Sequence, residues 1–265
     1  MSQIRAFNAV LRRDLTVYLT YRTRLVSQVL TSLFSLTLFY YVSRLVHLSG
    51  FATPDSYFAF VVVGIAMVGV LYSCFQIPEL VRQELLAGTF ERLLLSPFGA
   101  VRSILAMSLF PLIFSFLIAA ITLALACVLF ALHLDWSTAP LSIPAMALAL
   151  LAFLPFGLLF AALTVLVKQG SVGTSWVIAL LSILGGLYFP VALLPHWLRD
   201  LAALQPFGSA TGLLRHLLVG SPTSEPALHA ILKLSLFAAI LVPLALAALS
   251  AAIRAGQRSG TIIEY

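Results

Sequence analysis

Glu79, Arg82, Glu84, Glu91 and Arg92 share one stretch, "PELVRQELLAGTFERLLLSP", at residues 78–97. The chain around them is poor in such groups. Of its 265 residues, 62% are hydrophobic and 9% are charged. Acids and bases this close together can move protons or pair with a charged partner surface. Which use applies depends on where the remaining chemistry-bearing residues fall and on what flanks the stretch.

The other polar groups exclude several activities. All nine acids lie outside the long apolar runs: Asp14, Glu79, Glu84, Glu91 and Glu264 on one side, Asp55, Asp135, Asp200 and Glu225 on the other. Proton- or ion-coupled transporters keep an ionisable group within their spans, and intramembrane aspartyl chemistry needs a buried acid pair. Neither is present. No G-x-S-x-G occurs, and no histidine falls mid-span, so a serine nucleophile has no support. No glycine-rich loop ends in Gly-Lys-Ser/Thr, so the chain has no nucleotide site of its own. His47, His133, His196, His216 and His229 fall on or near the second side without ligand spacing on one helix, and no metal is expected. Cys74 and Cys127 lie near opposite ends of their spans. A depth difference of about 15–20 Å keeps them apart as free thiols. The chain is not expected to be an enzyme.

These residues are carried by a membrane protein. A soluble domain needs about a quarter of its residues charged. Here six apolar stretches can each cross about 30 Å of hydrocarbon: 25–46, 57–78, 103–132, 142–167, 172–192 and 229–253. The first is too long for the core of a signal peptide. With the N-terminus inside, eleven basic residues are cytosolic: Arg5, Arg12, Arg13, Arg22, Arg24, Arg82, Arg92, Arg102, Lys168, Arg254 and Arg258. Only Arg44, Arg199, Arg215 and Lys233 fall outside. The positive-inside rule favours this orientation, with both termini cytosolic. The positives follow the membrane flanks, and nucleic acid is not an expected partner. Residues 1–24 read as an amphipathic interfacial helix, with Ile4, Phe7, Val10, Leu11, Leu15 and Tyr18 at three- and four-residue steps.

The charged stretch then lies on the cytosolic surface between the second and third spans. Pro78 is expected to end the second span. "ELVRQELLA" is a short helix with an acid in its first turn, and Gly88 terminates it. Thr89 is the expected N-cap of a second short helix ending at Pro97. The result is expected to be a pair of short surface helices with alternating charge and exposed leucines, either a docking surface for a cytosolic partner or an interfacial loop that keeps two spans apart.

Glu79, Arg82, Glu84, Gly88, Thr89, Glu91 and Pro97 together resemble the coupling segment of type-2 ABC exporter permeases, the membrane subunits of ATP-binding-cassette exporters. "GGLYFPVALLPHWLRDLAALQPFGSATGLLR", residues 185–215, is similar to that family's fifth span followed by an external re-entrant hairpin. The C-terminal "GTIIEY" is a weaker match. The resemblance implies an all-α membrane protein: an interfacial helix over 1–24 and a six-span permease domain over 25–265. It also implies a coupling segment over 79–97 and a re-entrant hairpin over 193–218. It implies two copies of a cytosolic ATPase carrying ATP and Mg, and a second permease copy, identical or paralogous, in the cytoplasmic membrane. Glu79, Arg82, Glu84, Gly88, Thr89, Glu91 and Arg92 would meet the ATPase. Tyr188, Phe189, Pro190, Pro195 and Trp197 would cap the exit.

The path itself is expected at the first and fifth spans. Gln28, Thr31, Ser32 and Ser35 lie roughly on one face of the first. Thr174, Ser175, Ser182, Gly185 and Gly186 mark the fifth. Such residues also permit close helix packing in lipid. Phe34, Phe39, Tyr40, Tyr188 and Phe189 suit an amphipathic cargo, or anchor the protein at the interface. A drug, a lipid, a lipid-linked glycan and a peptide all remain open as substrate. An ATP-independent channel or intramembrane enzyme is the alternative.

Overall fold

The computed structural model describes residues 22–45, 51, 53–96, 98–167, 173–222 and 225–258, together with Arg12, Leu15 and Thr16. Most of the expected interfacial helix, the "KQGS" link and "GTIIEY" lie outside the described residues. The elements are α1 (Arg22–Leu45), α2 (Pro54–Phe75), α3 (Ile77–Leu86), α4 (Phe90–Leu95), α5 (Ala100–Phe130), α6 (Ser142–Val167), α7 (Thr174–Leu184), α8 (His196–Leu204), α9 (Pro206–Val219) and α10 (Ala227–Arg258). No strand occurs among the described residues.

Five of the six expected spans are helices long and apolar enough to cross a bilayer: α1, α2 running into α3, α5, α6 and α10. The expected span over 172–192 is different. Its helix, α7, has eleven residues. That is about 16 Å at 1.5 Å per residue, roughly half of the hydrocarbon thickness. Two glycines end it. Gly185 packs against the Phe207 ring, and a Cβ there would lie 1.8 Å from Phe207 Cδ1. Gly186 has φ +64°, a left-handed conformation that costs other residues their Cβ clearance.

A helix broken among apolar side chains leaves carbonyls without partners, which is tolerated only where protein supplies them. Here α9 does so. Thr211 Oγ1 donates to the Gly185 carbonyl at 3.2 Å. Arg215 Nη2 donates to the carbonyls of Gly186 and Leu187, each at 3.0 Å. The expected pair of short helices after this break is present as α8 and α9.

The interior is two stacked apolar clusters with α6 running through both. At the hairpin end, Met67, Leu71, Phe153, Phe207, Leu214 and Leu234 meet. At the charged end, Ile77, Val81, Leu85, Phe90, Leu158 and Leu249 meet. α1 sits at the edge against α2 and α5. Val26, Leu30, Phe34, Leu38 and Tyr41 form an uncovered apolar stripe along it.

Candidate functional site

The charged stretch is an extension of α2. Gln76 keeps helical backbone angles between α2 and α3, and Leu80 N donates to the Gln76 carbonyl at 3.0 Å. Pro78 therefore does not end the rod. It sits in the first turn of α3, where its missing N–H has no intrahelical role. Ile77, Val81 and Leu85, four residues apart, bury one face of α3 against α5 and α6. Gly88, with φ +65°, turns the chain out of α3 as expected.

The polar residues of the stretch then divide. Thr89 precedes α4 but makes no side-chain cap to it. Its hydroxyl donates to the Glu84 carboxylate instead, closing the turn from within. Glu79 and Arg82 pair at 3.5 Å on the partly exposed side of α3, a contact of little stabilising weight at a surface. Glu91 and Arg92 of α4 are exposed, beside Leu95, which is 85% exposed. Phe90, at 1% exposed, pins α4 to the interior. The arrangement is a rigid double helix turn that presents charge and apolar surface outward.

A cavity of about 380 Å³ opens above it, between α1, α2 and α5. From α1 come Gln28, Thr31, Ser32, Ser35 and Phe39. Tyr72, Ser73 and Gln76 come from α2, and Pro111, Phe114 and Ser115 from α5. Leu187 and Tyr188 reach in from the chain after the broken helix. Phe39 and Tyr188 stack at 5.1 Å between ring centroids. The α3 rod thus continues directly into a wall of this cavity.

The sequence model of the ABC-2 type transporter membrane family matches residues 5–219. The chain belongs to that family. It is a multi-pass membrane permease of ABC type, without a nucleotide site of its own. A search of curated proteins finds no match.

Within the permease, the candidate path residues separate into two groups. Gln28, Thr31, Ser32 and Ser35 share the cavity. The residues named on the fifth span do not line it. Thr174 and Ser182 are buried in packing, with Ser182 Oγ bonded to the Ile178 carbonyl at 2.6 Å. Ser175 is exposed, and Gly185 and Gly186 form the break. The candidate gate residues are also dispersed. Tyr188 lines the cavity, Phe189 and Pro190 are half-buried, Pro195 precedes α8, and Trp197 is exposed.

The contributions of α2 and α5 to the cavity were missed in the sequence. Tyr72–Ser73 and Phe114–Ser115 are isolated pairs within long apolar runs and carry no periodic pattern. Arg215 was legible as a motif residue but was counted among outer basic groups. It is 5% exposed, bonded through Nε to the Phe60 carbonyl at 3.0 Å and stacked on the Phe60 ring at 3.3 Å. From α10, Lys233 Nζ donates to the Ala203 carbonyl at 2.7 Å and to Ser209 Oγ at 3.0 Å, tying α10 to α8 and α9. These contacts border a second, charged pocket of about 150 Å³ that includes Arg199, Glu225 and Lys233.

Proposed function

We propose that this permease exports a hydrophobic or amphipathic substrate, driven by two copies of a separate cytosolic ATPase acting on α3 and α4. The observation that carries the reading is mechanical. The outward charges of α4 are joined by the turn at Gly88 to α3, which is continuous with α2, and α2 forms a wall of a cavity of about 380 Å³ that no charged side chain among the described residues lines. A push on Glu91 and Arg92 reaches α3 through the turn at Gly88, which Thr89 closes onto Glu84, and α3 carries it to Gln76, Ser73 and Tyr72.

In this reading the eleven-to-four distribution of basic residues holds α3, α4 and both termini in the cytosol. Six membrane passages include the short α7 completed by the chain after Gly186, and α8 and α9 dip into the outer leaflet. A second permease copy completes the transporter in the cytoplasmic membrane. ATP and Mg bind the ATPase.

The test is capture and coupling. The full chain, expressed with its ATPase, should retain it on purification. Glu91→Lys or Arg92→Glu should insert normally and lower substrate-stimulated ATP hydrolysis at least tenfold, since breaking an interfacial charge pair costs on the order of 2–5 kcal/mol. A matched reversal on the ATPase should restore part of it. Wild-type hydrolysis and transport in both variants would sink the coupling role.

A further inference from the structure

We propose that the cavity between α1, α2 and α5 holds the uncharged, hydrogen-bond-donating end of an aromatic amphiphile, with Gln28 as its principal acceptor. The inference rests on the transport reading for its role but not for its chemistry.

Charge decides the first part. Among the described residues, no Asp, Glu, Lys, Arg or His lines this cavity, whereas the pocket at the hairpin end carries Arg199, Glu225 and Lys233. A carboxylate or phosphate entering the first would lose water and meet no cation, which is strongly unfavourable. The hairpin pocket lacks that barrier. The contrast assigns the α1–α2–α5 cavity to neutral groups.

The hydrogen-bond inventory decides the second part. Gln28 Oε1 is buried and has no partner. Three of the seven hydroxyls that line the cavity offer only lone pairs, because their protons are already used. Thr31 donates to the Ser27 carbonyl at 2.8 Å, Ser73 to Val70 at 2.7 Å and Ser115 to Leu112 at 2.7 Å. A carbonyl can only accept, so each of these bonds fixes the direction of its proton. A ligand with O–H or N–H groups satisfies Gln28 Oε1 and these three oxygens, and a ligand with only acceptors leaves them without a donor.

The body of the ligand is set by shape. Phe39 and Tyr188 are near-parallel, at 11° between planes, and Tyr72 and Phe114 stand along the same space. Flat aromatic carbon packs favourably against such faces. The volume, about 380 Å³, falls in the lower part of the range for small-molecule pockets.

The test uses the full chain with Cys74→Ala, Cys127→Ala and Ser35→Cys in lipid nanodiscs. The rate at which a permeant maleimide alkylates the new thiol reports occupancy. Three probes share one body: pyrenebutanol, pyrenebutyrate and butylpyrene. The alcohol should protect at about tenfold lower concentration than either of the others. Gln28→Leu should abolish that advantage and leave butylpyrene unchanged, whereas a purely structural role would shift all three together. If Gln28→Leu aggregates, Ser73→Ala serves, with a loss of about threefold for the alcohol alone. Equal protection by the carboxylate, or an equal shift of all three probes, overturns the inference. ATPase capture is read on the same preparations. Capture without protection sinks this site and leaves the transport reading; protection without capture does the reverse.

Discussion

At the charged end of the permease, Glu91 and Arg92 stand in the open. At the hairpin end, Arg215 is 5% exposed and its guanidinium lies flat on an aromatic ring. Both regions break a helix, with three residues before the next α-helix at the charged end and eleven at the hairpin end, and they use ionic groups in opposite ways. At the charged end the turn is closed by Gly88 and by Thr89 on Glu84, so the remaining charges are free for a partner. At the hairpin end the freed carbonyls have no water to turn to, and Arg215 supplies their donors. A charge left outside is available to another molecule. A charge that serves the chain's own backbone is drawn inward despite its desolvation, because leaving the Gly186 and Leu187 carbonyls unpaired there would be worse.

The strongest way to break this comparison is Arg215→Met. It keeps the bulk and removes the fork that serves Phe60, Gly186 and Leu187. We expect a loss on the order of 2–5 kcal/mol, since each buried carbonyl left without its donor costs about 1–3 kcal/mol, read as a lowered unfolding transition of the full chain in nanodiscs. Arg215→Lys should fall between, since a point charge cannot reproduce the planar fork. A transition unchanged from wild type in both variants would show that the hairpin does not depend on this residue. Glu91→Lys provides the contrast, with an expected change within about 0.5 kcal/mol.

The joint between α2 and α3 offers a smaller test. A Cβ at Gly157 would lie 2.1 Å from the Cys74 carbonyl oxygen, a backbone atom that cannot swing aside. Gly157→Ala should cost about 1–3 kcal/mol and displace α3, lowering substrate-stimulated ATP hydrolysis along with stability. Lost stability with intact coupling would separate the joint from the lever.

The smallest effect concerns the loop that tethers the far end of α9. Asp135 N donates to the Leu218 carbonyl at 2.8 Å and Thr138 Oγ1 to Leu217 at 2.7 Å. Hydrogen bonds from the Ser137 hydroxyl and N–H hold the Asp135 carboxyl below its ordinary value. A carboxyl with a depressed folded-state pKa stabilises fully above its unfolded pKa of about 3.9, and loses that contribution as pH falls through the folded value. Ser137→Ala should therefore lower the melting temperature slightly at neutral pH, with the difference from wild type shrinking as the medium is acidified through that window. A difference that grows on acidification would reverse the sign of this account.

How much of this could be read in advance varies along the chain. The two helices of the charged stretch and the turn at Gly88 were legible because each depends on a few neighbouring residues: a four-residue apolar spacing, an acid in a first turn, a glycine able to take positive φ. The end of α2 was misplaced at Pro78 because proline carries two meanings, a stop in the middle of a helix and a good fit in its first turn. Gln28, Thr31, Ser32 and Ser35 could be grouped from their shared helical face, but nothing local says that Ser73 and Ser115 face them.

By itself the sequence determined that this protein lives in a membrane, five of the helices that are long enough to cross it, and where the charged stretch stands. Hydropathy and helical spacing are properties of contiguous residues, so they survive without knowledge of the fold. Only the tertiary structure decided that the apolar run after residue 173 stops at Leu184, and that Arg215 lies within. Arg215 acts on the carbonyl of Phe60, 155 residues distant, and on those of Gly186 and Leu187. Burial of a charge is set by the donors and acceptors that packing brings around it, and those partners are named by no local pattern.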